Sequence, residues 1–111
     1  MTYEKLREQP PAMSKTPKAE PHHASRVEAL LHEHDALHVR ARKYGASVIV
    51  ESGPQDDPVR HLRLRRDTVH LWRLDVVGRG ERWEPTAFRG NIESLVSAVV
   101  ESFPWVLTDI A

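Results

Sequence analysis

The final third of the chain carries the feature that most restricts its fold, a stripe of apolar residues at helical spacing. The stripe consists of Ile92, Leu95, Val96, Val99, Val100 and Phe103. Apolar residues at positions i, i+3, i+4, i+7 and i+8 line one face of an α-helix. Asn91 suits the N-terminus of this helix and Pro104 ends it. The sequence therefore predicts a helix over residues 91–103 with one buried face.

A long segment ahead of this helix alternates apolar and polar side chains, the pattern of half-buried β-strands. Five strands are predicted, at about 37–43, 46–52, 59–66, 69–77 and 81–85. Pro85 is expected to end the last strand, because proline cannot donate to a strand ladder. Short turns between consecutive strands favour antiparallel pairing. A meander of about five strands with a helix packed on one face belongs to the α+β class.

The first 23 residues differ from the rest of the chain. They contain four prolines and no periodic apolar set, so they bury too little surface to offset the entropy of ordering. We predict a disordered tail over residues 1–23 and a single domain over residues 24–111. Ser25 and Glu28 have the spacing of a capping box, which predicts a short helix over residues 25–34 at the start of the domain.

Alternation divides the predicted sheet into two faces. The inner face, against the C-terminal helix, is expected to hold Val39, Val48, Val50, Leu62, Leu64, Trp72, Leu74 and Trp83. The outer face carries arginines and His61, together with the aliphatic residues Ile49, Val69 and Leu71. Because a solvated face seldom keeps three such aliphatics together, we expect part of it to be covered. The 25–34 helix and a second copy of the chain are the two candidates.

Composition and charge narrow the class of protein. The chain has no cysteine, which excludes disulfides, thiolate metal sites and thiol catalysis. Sixteen basic residues balance sixteen acidic ones, but residues 36–90 hold ten arginines and one lysine against seven acidic residues. No apolar run has the length of a membrane span, and the first residues lack the apolar core of a secretory signal. We expect a cytoplasmic protein.

The arginine-bearing face of the sheet is the candidate site. Its predicted residues are Arg40, Arg42, Arg63, Arg65, Leu71, Arg73 and Arg82. Arginine mixed with aliphatic residues is typical of protein interfaces, so we favour a non-enzymatic binding module whose partner is another protein or a second copy of the chain. Single-stranded DNA or RNA is the alternative, because arginine pairs with phosphates and stacks on bases. The tryptophans, which would strengthen that alternative, are expected on the inner face.

A small metal-dependent enzyme is a more distant alternative. The candidate ligands are His32, His34 and His38 for a transition metal and Glu51, Asp56 and Asp57 for a hard cation. The histidines share a helix face only if the first helix extends to residue 38, and the acidic loop lacks the central glycine of a calcium loop. Glu84 beside Trp83 is a candidate pocket acid, but no recognisable catalytic set surrounds it. We assign no catalytic, cofactor-binding or metal-binding residue and expect no enzyme.

Overall fold

The computed structural model describes residues 17–107, which form one five-stranded sheet and two α-helices. The elements are α1 (Pro21–Glu33), β1 (Arg40–Tyr44), β2 (Ser47–Ser52), β3 (Val59–Arg66), β4 (Trp72–Val77), β5 (Trp83–Gly90) and α2 (Ile92–Ser102), with 3₁₀-helices at Arg79–Glu81 and Pro104–Leu107. The strands lie in the order β1-β2-β3-β4-β5 and each pairs antiparallel with the next. The predicted α+β meander is therefore confirmed.

Three strands differ from their predicted bounds by three residues or more at one end. β1 begins at residue 40 rather than 37. β4 begins at Trp72 rather than at residue 69, because the N–H groups of Asp67 and Thr68 both donate to the carbonyl of Leu71 and close a turn there. β5 runs through Pro85 to Gly90 instead of ending at the proline. An edge strand tolerates proline, since one side of its backbone has no strand partner.

α1 begins four residues earlier than predicted. Glu20 is its N-cap and Pro21 its first residue, and His23 completes a capping box in which Nδ1 accepts the N–H of Glu20 at 2.9 Å. Ser25, the predicted cap, instead lies inside the helix. Because Ala19 is buried and donates its N–H to the carbonyl of Gly45, residues 17–23 belong to the folded part. Residues 1–16 of the predicted tail and residues 108–111 of the predicted domain lie outside the described residues.

The C-terminus of α1 is closed by a Schellman motif. The N–H of Ala36 donates to the carbonyl of Leu31, and the N–H of Asp35 donates to the carbonyl of His32, which satisfies two carbonyls that the helix leaves open. Asp35 occupies the left-handed position with φ 70°. Glycine is the usual residue there because it lacks a Cβ, so aspartate holds this turn with some strain.

Both helices pack on the same face of the sheet. Val27 and Leu31 of α1 join Leu95, Val96 and Val99 of α2 in one core. The sheet contributes Val48, Val50, Leu62, Leu64, Trp72 and Leu74, and Val39 joins them from just before β1, as the sequence predicted. The 25–34 helix was one candidate cover for the outer face, and that hypothesis is wrong, because α1 lies beside α2 against the inner face. Within the described residues, no helix is long and apolar enough to span a membrane.

An irregularity in β3 reverses one predicted side chain. Val50 pairs with Leu62 but the next residue of β2, Glu51, pairs with Arg60, so His61 is the extra residue of a bulge. His61 was expected on the outer face. It is instead buried, with 3% of its surface exposed, and its Nδ1 lies 2.8 Å from the carbonyl oxygen of Val106 in the C-terminal 3₁₀-helix. A bulge shifts the alternation by one residue, and periodicity alone does not predict where a bulge falls.

Candidate functional site

The outer face of the sheet, turned away from both helices, is organised by strand pairing into three rows. The first row holds Tyr44, Ser47, Arg65, Arg73 and Arg89, the second Arg42, Ile49, Arg63, Asp75 and Pro85, and the third Arg40, Glu51 and Arg60 on β1–β3 with Val77 and Trp83 on β4 and β5. Neighbouring strands lie about 4.8 Å apart, so each row spans roughly 19 Å. The face is a broad, open surface dominated by arginine.

A buried carboxylate holds two of these arginines. Oδ2 of Asp75 lies 2.8 Å from Nε of Arg63 and 3.0 Å from Nε of Arg65. The Asp75 side chain is 1% exposed, whereas the two arginine side chains are 26% and 41% exposed. The hydrogen bonds that Arg65 donates to Asp75 raise the pKa of Arg65 above its ordinary value, so this guanidinium stays charged. The carboxylate lies beneath the arginines and is hidden from a partner.

Two further carboxylates, one buried and one partly exposed, each bind two arginines. Nε of Arg40 and Nε of Arg42 lie 3.3 Å and 3.1 Å from the carboxylate of Glu51, whose side chain is 5% exposed. Nε of Arg73 and Nη2 of Arg89 lie 3.2 Å and 3.0 Å from Oδ2 of Asp67. Each acid therefore fixes the position of two guanidinium groups.

We call the resulting set of six side chains the arginine layer. It consists of Arg40, Arg42, Arg63, Arg65, Arg73 and Arg89, held by three carboxylates. Six positive charges against three negative ones leave an excess of three within this set. In five of the six, Nε faces the carboxylate, so at least one amino nitrogen of each guanidinium forms no hydrogen bond to it. Arg40 is the exception, because its Nη1 donates to the carbonyl of Gly53 and its Nη2 is buried. The amino groups of the other five suit paired anionic oxygens of a phosphate or a carboxylate.

The arginine layer also explains how an aliphatic residue lies on the outer face. Ile49 is 6% exposed and lies between Arg42 and Arg63 in the second row. Arginine stems cover apolar surface while their charged ends reach water. Ile49 is thus buried within the described chain itself, and a second copy is not needed to cover it.

Trp83 lies on the outer face, which corrects the prediction that it faces the core. It pairs with Val77, two residues beyond Asp75, and the guanidinium carbons of Arg63 and Arg60 lie 4.8 Å and 5.6 Å from its ring centroid. These are cation–π distances, and the ring is half-buried beneath the arginines. The sequence places Trp72 and Trp83 symmetrically around one turn. The prediction assumed a short turn between the strands at 69–77 and 81–85. A 3₁₀-helix at Arg79–Glu81 lengthens that connection, and Trp83 pairs with Val77 at an outward position.

A second aromatic side chain stands on the same face. Tyr44 ends the first row, is 68% exposed, and has the guanidinium carbon of Arg42 5.7 Å from its ring centroid. The predicted first strand ended at residue 43, one residue before Tyr44. Its alternation with Arg40 and Arg42 was the signal that places it in β1.

Five of the seven predicted site residues belong to the arginine layer, and two do not. Leu71 lies in the turn before β4, and Arg82 is an exposed residue just before β5. Arg89 was missed because the last strand was expected to end at Pro85. In the observed register Arg89 is opposite Arg73, a pairing that became visible only once β5 was extended.

A hydrogen-bonded serine and histidine occur on the other side of the sheet. Oγ of Ser52 lies 2.8 Å from Nε2 of His61, the geometry of a nucleophile and its base. Both residues are buried, at 6% and 3% exposure, and Nδ1 of His61 faces the carbonyl oxygen of Val106 rather than an acid. The Nδ1–H of His61 donates to the carbonyl oxygen of Val106. This hydrogen bond holds the C-terminal 3₁₀-helix against β3, so the pair has a structural role.

The histidine and acidic side chains that were weighed as metal ligands are bound to protein groups or dispersed. Nε2 of His32 lies 2.9 Å from the carbonyl oxygen of Val39, and Nε2 of His38 lies 2.6 Å from that of Leu107. Among residues 17–107, no group of three or more histidine, aspartate or glutamate side chains is placed to hold a metal ion. Glu84 is exposed, so it lacks the burial that would make it a pocket acid.

Comparison of the chain with protein family models, with curated proteins and with solved structures finds no match.

Proposed function

We propose that this chain is a non-enzymatic binding module that holds an anionic macromolecule on the arginine layer. The observation that carries the proposal is the position of the carboxylates of Asp75 and Glu51. Both are almost fully buried beneath the guanidinium groups that they bind. They orient the arginines without offering negative charge to the surface, so a partner meets an ordered set of positive groups.

The residue types on the outer face are those of a surface that binds an acidic protein. Arginine, tryptophan and tyrosine are the residues enriched in interface hot spots, and the outer face carries Trp83 and Tyr44 among its arginines. Self-association through this same face is disfavoured, because it would bring two layers of like charge together. A cytoplasmic location is part of the proposal and rests on the cysteine-free composition.

The proposal is tested with a matched pair of double variants. Arg42→Gln with Arg89→Gln removes two charges from the arginine layer, and Arg79→Gln with Arg82→Gln removes two exposed charges outside it. Binding to a labelled poly-glutamate and to a labelled oligonucleotide is measured by fluorescence anisotropy at about 50 mM salt. We expect the first variant to weaken binding at least several-fold more than the second. Equal losses in the two variants, or no binding of either polymer to the unmodified protein, would contradict the proposal.

A further inference from the structure

We infer that the anionic partner is a single strand of nucleic acid, whose bases stack on the aromatic and guanidinium planes of the outer face. The inference rests on the proposed function and adds the class of partner. Two of its supports, the placement of Trp83 and the exposure of Tyr44, emerge only from the structure.

The outer face combines charge with flat rings. Tyr44 on β1 and Trp83 on β5 stand at opposite corners of the sheet face, with the arginine layer between them. Arginines lie over both rings, at 5.7 Å for Arg42 on Tyr44 and 4.8 Å for Arg63 on Trp83. Bases stack on aromatic rings and on guanidinium planes, while positive grooves follow the phosphates. The acidic side chains of a protein partner would complement the positive charge, but they have no ring that could stack on these aromatic and guanidinium planes.

The shape of the face favours a single strand over a duplex. The base edges of DNA are read in the major groove by an inserted helix or a two-stranded ribbon. Within the described residues, both helices lie on the opposite face of the sheet. The arginine layer is spread over all five strands, across roughly 19 Å. A broad sheet of this kind accepts unstacked bases but has no element to enter a groove.

Direct binding measurements separate the candidate partners. The probes are a labelled oligothymidine of about 12 nucleotides, a duplex of the same length, and a poly-glutamate of matched charge. We expect the single strand to bind most tightly, and its affinity to fall about tenfold or more between roughly 50 and 200 mM salt.

Aromatic variants test stacking separately from charge. Tyr44→Leu and Trp83→Leu remove the rings and keep apolar bulk, and Trp105→Leu removes an exposed ring from the C-terminal 3₁₀-helix as the matched control. We expect each of the first two to weaken single-strand binding about tenfold and to leave poly-glutamate binding unchanged. Tyr44 is 68% exposed, so its replacement leaves the fold intact even if the Trp83 variant unfolds.

The outcomes distinguish this inference from the proposed function. Tighter binding of poly-glutamate, with no effect of Tyr44→Leu on either polymer, overturns the inference and leaves an acidic protein as the partner. Equal binding of the duplex and the single strand overturns the inference as well. Failure of all three probes to bind overturns the inference and the proposed function together.

Discussion

Asp75 and Arg63 face each other across β3 and β4, with Oδ2 of the aspartate 2.8 Å from Nε of the arginine and the carboxylate 1% exposed. A carboxylate buried to this degree is stable only while positive groups cover it. The two residues therefore depend on each other. The aspartate orients the arginine. The positive charge of the arginine offsets the free energy that the aspartate loses when burial removes its water.

Replacing this aspartate is expected to destabilise the protein. Asp75→Asn keeps the volume but removes the countercharge of Arg63 and Arg65, which we expect to cost about 2 kcal/mol, because the guanidiniums remain partly hydrated. Asp67→Asn, at a carboxylate that is 30% exposed, should change stability by less than about 1 kcal/mol. Urea denaturation measures both. Equal effects would show that burial does not distinguish the two sites.

The tryptophans that begin β4 and β5 are expected to differ in their contribution to stability. Trp72 is 3% exposed in the core, so Trp72→Ala should lower the free energy of unfolding by about 3–5 kcal/mol. Trp83 is half-buried under arginines, and Trp83→Ala should cost only about 1 kcal/mol. Thermal denaturation followed by circular dichroism compares them. A larger loss for Trp83→Ala would contradict its position on the outer face.

The stability of α1 is expected to depend on pH through His23. Burial, and then the neighbouring His22 and Arg66, lower the pKa of His23 below its ordinary value, against the opposing charge of Glu20. The unfolded chain therefore takes up this proton first on acidification, and stability falls as the pH drops through about 6.5 and below.

A glutamine at position 23 isolates this titration. Glutamine is a favoured residue at the third position of a capping box, so His23→Gln keeps the hydrogen bond to Glu20 and removes the ionisable ring that packs edge-on to Trp72. We expect a shallower fall of melting temperature between about pH 7 and pH 5.5. An unchanged slope would assign the acid sensitivity to other groups. His23→Ala, which also loses the cap, should cost about 1 kcal/mol at neutral pH.

The left-handed turn after α1 offers a stabilising substitution. Asp35 has φ 70° at the position where helices usually end in glycine, and its carboxylate lies at the negative end of the helix dipole. Asp35→Gly should raise the free energy of unfolding by about 0.5–1 kcal/mol. Glu33→Gly, two residues earlier inside the helix, should lower it by about 1 kcal/mol. Chemical denaturation checks the opposite signs, and a loss on Asp35→Gly would refute the strain argument.

Local sequence patterns predicted the helices and strands because each kind of element has its own repeat of apolar residues, about 3.6 residues in a helix and two in a strand. The stripe from Ile92 to Phe103 repeats at the helical spacing, and α2 occupies Ile92–Ser102. The alternation around Leu62, Leu64 and Leu74 repeats every two residues, and these side chains are buried on the inner face as expected. Such periodicity is a property of neighbouring residues, so it can be recognised without any knowledge of distant contacts.

The candidate site depended on information that the sequence does not carry locally. The alternation placed five arginines of the layer on the outer face, but it could not show that Asp75 and Glu51 lie beneath them. The bulge that turns His61 inward and the extension of β5 to Arg89 also arise from pairing between strands.

The sequence by itself determined the class of fold, the helix and the strands, because side-chain periodicity decides which face of an element is apolar. Only the tertiary structure decided that α1 joins α2 on one side, that Trp83 stands on the other, and that acids anchor the arginines. Those outcomes follow from the register of the strands and from which helices pack on the apolar face of the sheet. Both depend on contacts between residues far apart in the chain.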